Sequence, residues 1–94
     1  MKKDTKTRLE VQLKVHKCYI TKALAEDSLT VGYKKRLSTS TWTVIISYPV
    51  DGNLEPQEFP IQTYSTEANA RKLAKEVRQM VLDMYGEEPR SWSF

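Results

Sequence analysis

Apolar and polar residues alternate without a break over residues 9–15, which read Leu-Glu-Val-Gln-Leu-Lys-Val. In an extended strand, a period of two residues places every second side chain on the same face. This pattern therefore predicts a first strand with one buried face. The polar and charged residues 1–7 that precede it are expected to form a flexible basic tail.

Three further segments carry the aromatic and β-branched residues that are typical of strands. They are residues 29–37, 42–48 and 58–63, and the second of them has the strongest pattern. The third contains Pro60, which has no N–H group to donate to a neighbouring strand. We therefore expect residues 58–63 to lie at a sheet edge or to carry a bulge.

A helical period appears between Ala70 and Met84, where apolar residues recur at steps of three and four. This spacing predicts a helix whose apolar stripe docks on the sheet. Ser65 or Thr66 can cap its first turn, and Gly86 can end it in the left-handed conformation. The predicted fold class is α+β, a small antiparallel sheet of three to four strands packed against one C-terminal helix.

The chain has 94 residues, a length that fits one domain. We place this domain at residues 8–86, followed by a C-terminal tail at residues 87–94. No apolar run of about 18 residues predicts a membrane span, and no continuous apolar segment of a signal peptide follows the basic start. A cytoplasmic protein without a membrane partner is expected, and the single cysteine, Cys18, fits a reducing compartment.

Residues that commonly carry chemistry are sparse. His16 and Cys18 are the only histidine and cysteine, and in the predicted strand they would share a face. Two ligands are too few for a tetrahedral structural zinc site, so a structural or surface role is expected for both. The three glycines are isolated and form no phosphate-binding loop. We predict no enzymatic activity and no cofactor.

Positive charge is concentrated in the first third of the chain. Residues 1–36 contain ten Lys or Arg and four Asp or Glu, for +6, whereas residues 37–94 contain five and eight, for −3. Such an imbalance favours a polyanion or an acidic protein surface as partner. The candidate cations are Lys34, Lys35 and Arg36 before the strongest strand, and Arg71, Lys75 and Arg78 on one face of the predicted helix. The alternative is a solvated face with local ion pairs.

Large apolar residues outside the predicted core indicate a second kind of surface. Ile45 falls on the strand face opposite Trp42, and Trp92 and Phe94 follow the helix in a polar tail. Large apolar side chains seldom remain in water without a reason. Either the tail folds back over the core, or it anchors a partner protein.

Four motifs follow one another along the chain: the basic run 34–36, the tryptophan-led strand 42–48, the turn at 51–52, and residues 59–68, which lead into the helix. Their order resembles the AP2-like fold, which includes the N-terminal arm-binding domains of phage-type integrases. The resemblance covers residues 31–85. It implies three antiparallel strands and one helix, with a sheet face in the DNA major groove. It also implies Lys34, Lys35 and Arg36 as phosphate or base contacts, with Thr41 and Thr43 as minor contributors.

Two functional hypotheses follow from the sequence. The first is a small, non-enzymatic nucleic-acid-binding protein derived from a phage or a mobile element. The alternative is a protein-binding inhibitor or adaptor that uses Ile45, Trp92 and Phe94 as contact surface, with lysines that steer it toward an acidic partner. An open sheet edge also allows a homodimer through strand pairing.

Overall fold

The computed structural model describes residues 3–50, 52 and 55–92, and for residues 91 and 92 it describes the backbone. Its elements are, in chain order, α1 (Lys3–Val15), α2 (Lys17–Ala25), β1 (Thr30–Arg36), β2 (Thr41–Tyr48), β3 (Gln57–Tyr64), α3 (Glu67–Tyr85) and β4 (Arg90–Trp92).

The strands form one sheet in the order β3-β2-β1-β4. β1 pairs antiparallel with β2, and β2 with β3, whereas β4 runs parallel to β1 beside residues 30–32. All three helices pack on one face of the sheet, because their buried residues share a single core cluster with Val44, Ile46 and Tyr48 of β2. The α+β class is therefore confirmed, with three antiparallel strands and the C-terminal helix α3 packed on them, although α1 and α2 are helices beyond the single one expected.

The three strands predicted after residue 28 are confirmed, and each of their ends lies within one residue of its expected place. The expectation from Pro60 is also correct, because β3 is an edge strand. The pairing register shifts between Val44, which faces Gln62, and Ile45, which faces Pro60. Ile61 is thus an extra residue on β3, and the chain tolerates proline at this irregularity.

Helix α3 begins and ends as its sequence predicts. Thr66 is the N-cap, and its hydroxyl accepts a hydrogen bond from the backbone N–H of Asn69 at 3.4 Å. Gly86 ends the helix with φ of 78°, a left-handed conformation that glycine adopts without steric cost. The apolar stripe is buried, and its members are Ala70, Leu73, Ala74, Val77, Met80 and Val81.

The predicted strand over residues 9–15 is wrong, because this segment is helical. In α1 the side chains of Leu9 and Leu13 are buried, whereas Val11 and Val15 are 55% and 74% exposed. A strand would have placed all four on one face, but a helix separates them. The helix begins at Lys3, so most of the segment predicted as a tail is also helical.

The segment predicted as a C-terminal tail contributes the fourth strand. β4 pairs with β1, and the backbone N–H of Arg90 also donates to the carbonyl of Leu29 at 2.9 Å. Residues 90–92 therefore fold back onto the domain. The proposed anchor residue Phe94 lies outside the described residues, and Trp92 is described by its backbone, as a member of β4.

Candidate nucleic-acid interface

One face of the sheet has no helix packed on it within the described part of the chain. Alternation along the strands and the pairing register define this surface, which we call the open face. It carries Thr30, Lys34 and Arg36 from β1, Thr41, Thr43, Ile45 and Ser47 from β2, and Glu58, Pro60 and Thr63 from β3. Hydroxyl groups and charges predominate, and Ile45 is the one large aliphatic side chain among them.

An ion pair crosses the middle of the open face. Lys34 Nζ lies 2.7 Å from Glu58 Oε2. On β2, Thr43 is the neighbour of Lys34 and Ser47 is the neighbour of Glu58. The contact between Lys34 and Glu58 therefore crosses β2 diagonally, at the level of Ile45. Ile45 is only 3% exposed, although no helix of the described residues packs on this face.

Two predicted contact residues are corrected by this arrangement. Ile45 was expected to offer contact surface, but it is only 3% exposed. Thr43 was expected to assist in DNA contact, but it is 1% exposed, and its hydroxyl lies 3.3 Å from that of Thr63. Neither side chain therefore offers appreciable surface to a macromolecular partner.

The β1–β2 hairpin ends in an exposed, basic tip, defined as residues 35–41. Arg36 and Thr41 form the last pair of the ladder, and a four-residue turn joins them. The hydroxyls of Thr39 and Thr41 lie 2.6 Å apart, and Ser40 adopts φ of 53°. Leu37, the first turn residue, is 88% exposed. It was assigned no role from the sequence, although an apolar residue between a basic run and a polar turn was visible there.

Lys35 points to the opposite side of the hairpin from Arg36, toward the helices. Its ammonium group lies 5.9 Å from the centre of the Trp42 ring, a cation–π distance. Trp42 contacts Tyr33 edge-on, with 5.8 Å between ring centres. As expected from its strand face, Trp42 packs against the core, although part of it remains exposed.

The same aromatic pair connects the hairpin to α3. Arg71 Nε donates to the hydroxyl of Tyr33 at 3.2 Å, and Arg71 Nη2 donates to Glu67 Oε1 at 2.9 Å. The Tyr33 hydroxyl also donates to Glu67 Oε1 at 3.1 Å. The hydrogen bond and electrostatic interaction with Tyr33, followed by those with Glu67, raise the pKa of the exposed Arg71 guanidinium further above its usual value.

The remaining predicted cations continue along α3 beside β1. Arg78 Nη1 donates to the carbonyl oxygen of Val31 at 3.3 Å, and Lys75 is exposed between Arg78 and Arg71. The fold therefore divides the predicted contact residues between two sides of the hairpin. Lys34, Arg36 and Thr41 lie on the open face, whereas Lys35, Arg71, Lys75 and Arg78 lie on the helix side.

His16 has a structural role at the joint between α1 and α2. Its Nδ1 lies 2.9 Å from the hydroxyl of Tyr48, and its ring packs 5.3 Å from that of Phe59. These rings line a small cavity of about 30 Å³. Cys18 is exposed. The expectation that His16 and Cys18 share a face is wrong, because residues two apart in a helix point in nearly opposite directions.

Within the described ranges, no three His, Cys, Asp or Glu side chains come together in a way that could hold a metal ion. Nor is any helix of that part of the chain both long and apolar enough to cross a bilayer. Comparisons of the chain with protein-family models, with curated proteins and with solved structures found no match.

Proposed function

We propose that this protein binds duplex DNA, with the tip of its β1–β2 hairpin in the major groove. The observation that carries the proposal is the placement of cations on both sides of the exposed tip of the β1–β2 hairpin. Arg36 extends from the open face, and Lys35 extends from the helix side of the adjacent position. The major groove is about 12 Å wide and admits a two-stranded ribbon, and phosphates line both of its walls.

Each wall of the groove would meet different groups. The wall beside the open face would meet the guanidinium of Arg36 and the hydroxyl of Thr41. The wall beside the helices would meet Lys35, with Arg71 and Lys75 able to reach the adjoining backbone. Lysine and arginine contacts to phosphate supply affinity and orientation without reading sequence.

The distribution of acidic residues supports this orientation. No Asp or Glu occurs between residues 28 and 50, which include the whole hairpin. Farther from the tip, by contrast, Glu55 and Glu58 line a depression with Thr30 and Ser47. A duplex would be attracted to the tip and repelled from the far end, so the hairpin would enter the groove first.

The test is the affinity of the purified protein for a random-sequence duplex, measured by fluorescence anisotropy over a range of salt concentrations. We expect micromolar or tighter binding at low salt that weakens steeply as salt is added. The double variant Lys35→Glu/Arg36→Glu should lose at least about ten-fold in affinity, because it replaces attraction by repulsion at both groove walls.

The matched control is Lys14→Glu/Lys17→Glu. It makes the same change in net charge at exposed positions beside His16, whose partner Tyr48 lies at the end of β2 opposite the hairpin tip. This control should retain most of the affinity. If the two double variants lose DNA affinity by the same factor, binding depends on the net charge of the protein and not on the hairpin tip. If the wild type does not bind at low salt, the proposal is wrong.

A further inference from the structure

We infer that Leu37 contacts the C5 methyl group of thymine and gives the protein a preference for thymine-containing duplexes. This inference rests on the proposed function, which places the hairpin tip in the major groove. It adds to phosphate binding a specificity-determining residue and names the base that this residue recognises.

The position of Leu37 makes it the foremost apolar group of the tip. It is the first residue after the last ladder pair, Arg36 with Thr41, and 88% of its surface is exposed. Among the residues whose side chains the structure describes, the other large exposed hydrophobic ones, Val11, Val15 and Tyr19, lie on α1 and α2. Scattered exposed hydrophobic residues are common on proteins, so exposure alone does not indicate a contact, whereas the residues next to Leu37 do.

In the proposed complex, Lys35 and Arg36 are directed to opposite walls of the groove. Leu37 follows them in the exposed turn at the tip, so it would lie nearest to the base edges. The polar groups of the turn belong to Ser38, Thr39 and Ser40, and they can serve as donors or acceptors to bases or phosphates. Leu37 has no such group, so its favourable contact requires an apolar surface.

The base edges in the major groove offer one apolar group of this kind. Guanine, cytosine and adenine present donors and acceptors there, whereas thymine adds a methyl group at C5. Covering that methyl with a leucine side chain removes apolar surface from water on both molecules. Covering a donor or acceptor with leucine would leave a polar group without a partner, which is unfavourable. Leu37 therefore favours thymine by attraction and disfavours the other bases.

The test compares two duplexes, two helical turns long, that differ only in the methyl groups. One has an alternating dA-dT sequence, and in the other every thymine base is replaced by uracil, which lacks the C5 methyl group. We expect the wild type to bind the thymine duplex about four-fold more tightly for each methyl contacted, the affinity equivalent of burying one methyl group. This ratio should stay nearly constant as salt weakens both affinities, because the contact is apolar.

The variant Leu37→Ser should bind both duplexes equally, and the exposure of the site lets the fold tolerate the change, which circular dichroism checks. Val15→Ser, a matched change at an exposed apolar site on α1, should keep the wild-type ratio.

Equal binding of the two duplexes by the wild type, or an unchanged ratio in Leu37→Ser, would refute the inference. If Lys35→Glu/Arg36→Glu weakens DNA binding but the wild type shows no preference for thymine, the proposed function stands and the inference about Leu37 is wrong. Absence of binding to either duplex refutes both.

Discussion

Single hydroxyl groups join the N-terminal helices to the rest of the fold. The hydroxyl of Tyr85 on α3 donates to the carbonyl oxygen of Leu13 at 2.7 Å. Leu13 lies in the last turn of α1, where carbonyl groups lack partners within the helix. Tyr48 on β2 makes the equivalent connection to His16. Two tyrosine hydroxyl groups therefore connect the junction of α1 and α2 to α3 and β2, beside the apolar contacts that these helices make with the core.

Replacing Tyr85 with phenylalanine should lower the free energy of unfolding by about 1 kcal/mol, because it removes this hydrogen bond and leaves a carbonyl without its partner. Urea denaturation measures the loss. Tyr19→Phe provides the control, since Tyr19 is exposed and should lose much less. Equal losses in the two variants would contradict the assignment of the hydrogen bond.

The same tyrosines should make stability depend on alkaline pH. Burial raises the pKa of both Tyr48 and Tyr85 above 10.0, the ordinary value. The unfolded chain then releases these protons at lower pH than the folded chain does. Their contribution to stability is complete below about pH 10 and declines as pH rises through the folded-state pKa values. Denaturation curves in alkaline buffers should show a smaller pH dependence for Tyr48→Phe/Tyr85→Phe than for the wild type.

At the scale of elements, α1 and α2 show how a short pattern can mislead. Alternation over residues 9–15 satisfies a strand, but a longer window contains a second pattern. Buried or partly buried residues recur at steps of four, three, four and three, which is a helical period. They are Leu9, Leu13, His16, Ile20 and Ala23. Val11 and Val15 contribute to the alternating pattern but not to the core, because both lie on the solvent side of the helix.

This difference has a direct mutational test. Leu13→Ala should destabilise the protein by about 3 kcal/mol, because it removes a buried side chain from the core. Val11→Ala should change stability by no more than about 0.5 kcal/mol. Chemical denaturation of the two variants gives both values. Similar large losses would support the strand, in which Val11 and Leu13 share a buried face.

Other elements could be predicted because their signals are local. A cap at Thr66, a left-handed stop at Gly86 and a proline in β3 each act within a few residues. The pairing of β4 with β1 joins segments about sixty residues apart and involves three residues per strand, which leaves no periodic signal. The cations of the candidate site could be named from the sequence. The burial of Thr43 and Ile45 could not, because alternation along β2 indicates which residues share a face but not how far that face is covered.

At the scale of the whole molecule, we expect the balance of positive and negative charge on the open face to change the affinity for DNA. Glu58 holds Lys34 near the middle of this face and presents a negative charge to any approaching duplex. Glu58→Gln should therefore strengthen DNA binding by several-fold and steepen its dependence on salt by about one phosphate contact. Anisotropy titrations at several salt concentrations measure both effects.

Glu55→Gln is the control for that change. It removes the same charge from an exposed site at the far end of the sheet, so it should strengthen binding less. If Glu58→Gln binds DNA no better than the wild type, Lys34 does not contribute to the interface.

The parallel pairing of β4 with β1 also has a consequence for the order in which the protein is made. The ribosome releases β1, β2 and β3 well before residues 90–92 emerge. Until then the outer edge of β1 at residues 30–32 exposes N–H and C=O groups that have no strand beside them. Neighbouring nascent chains on one polysome would thus have the same unpaired edge. Pairing between two such chains would compete with the pairing of β4 within each chain. Pairing of β4 with β1 closes this edge and ends the competition.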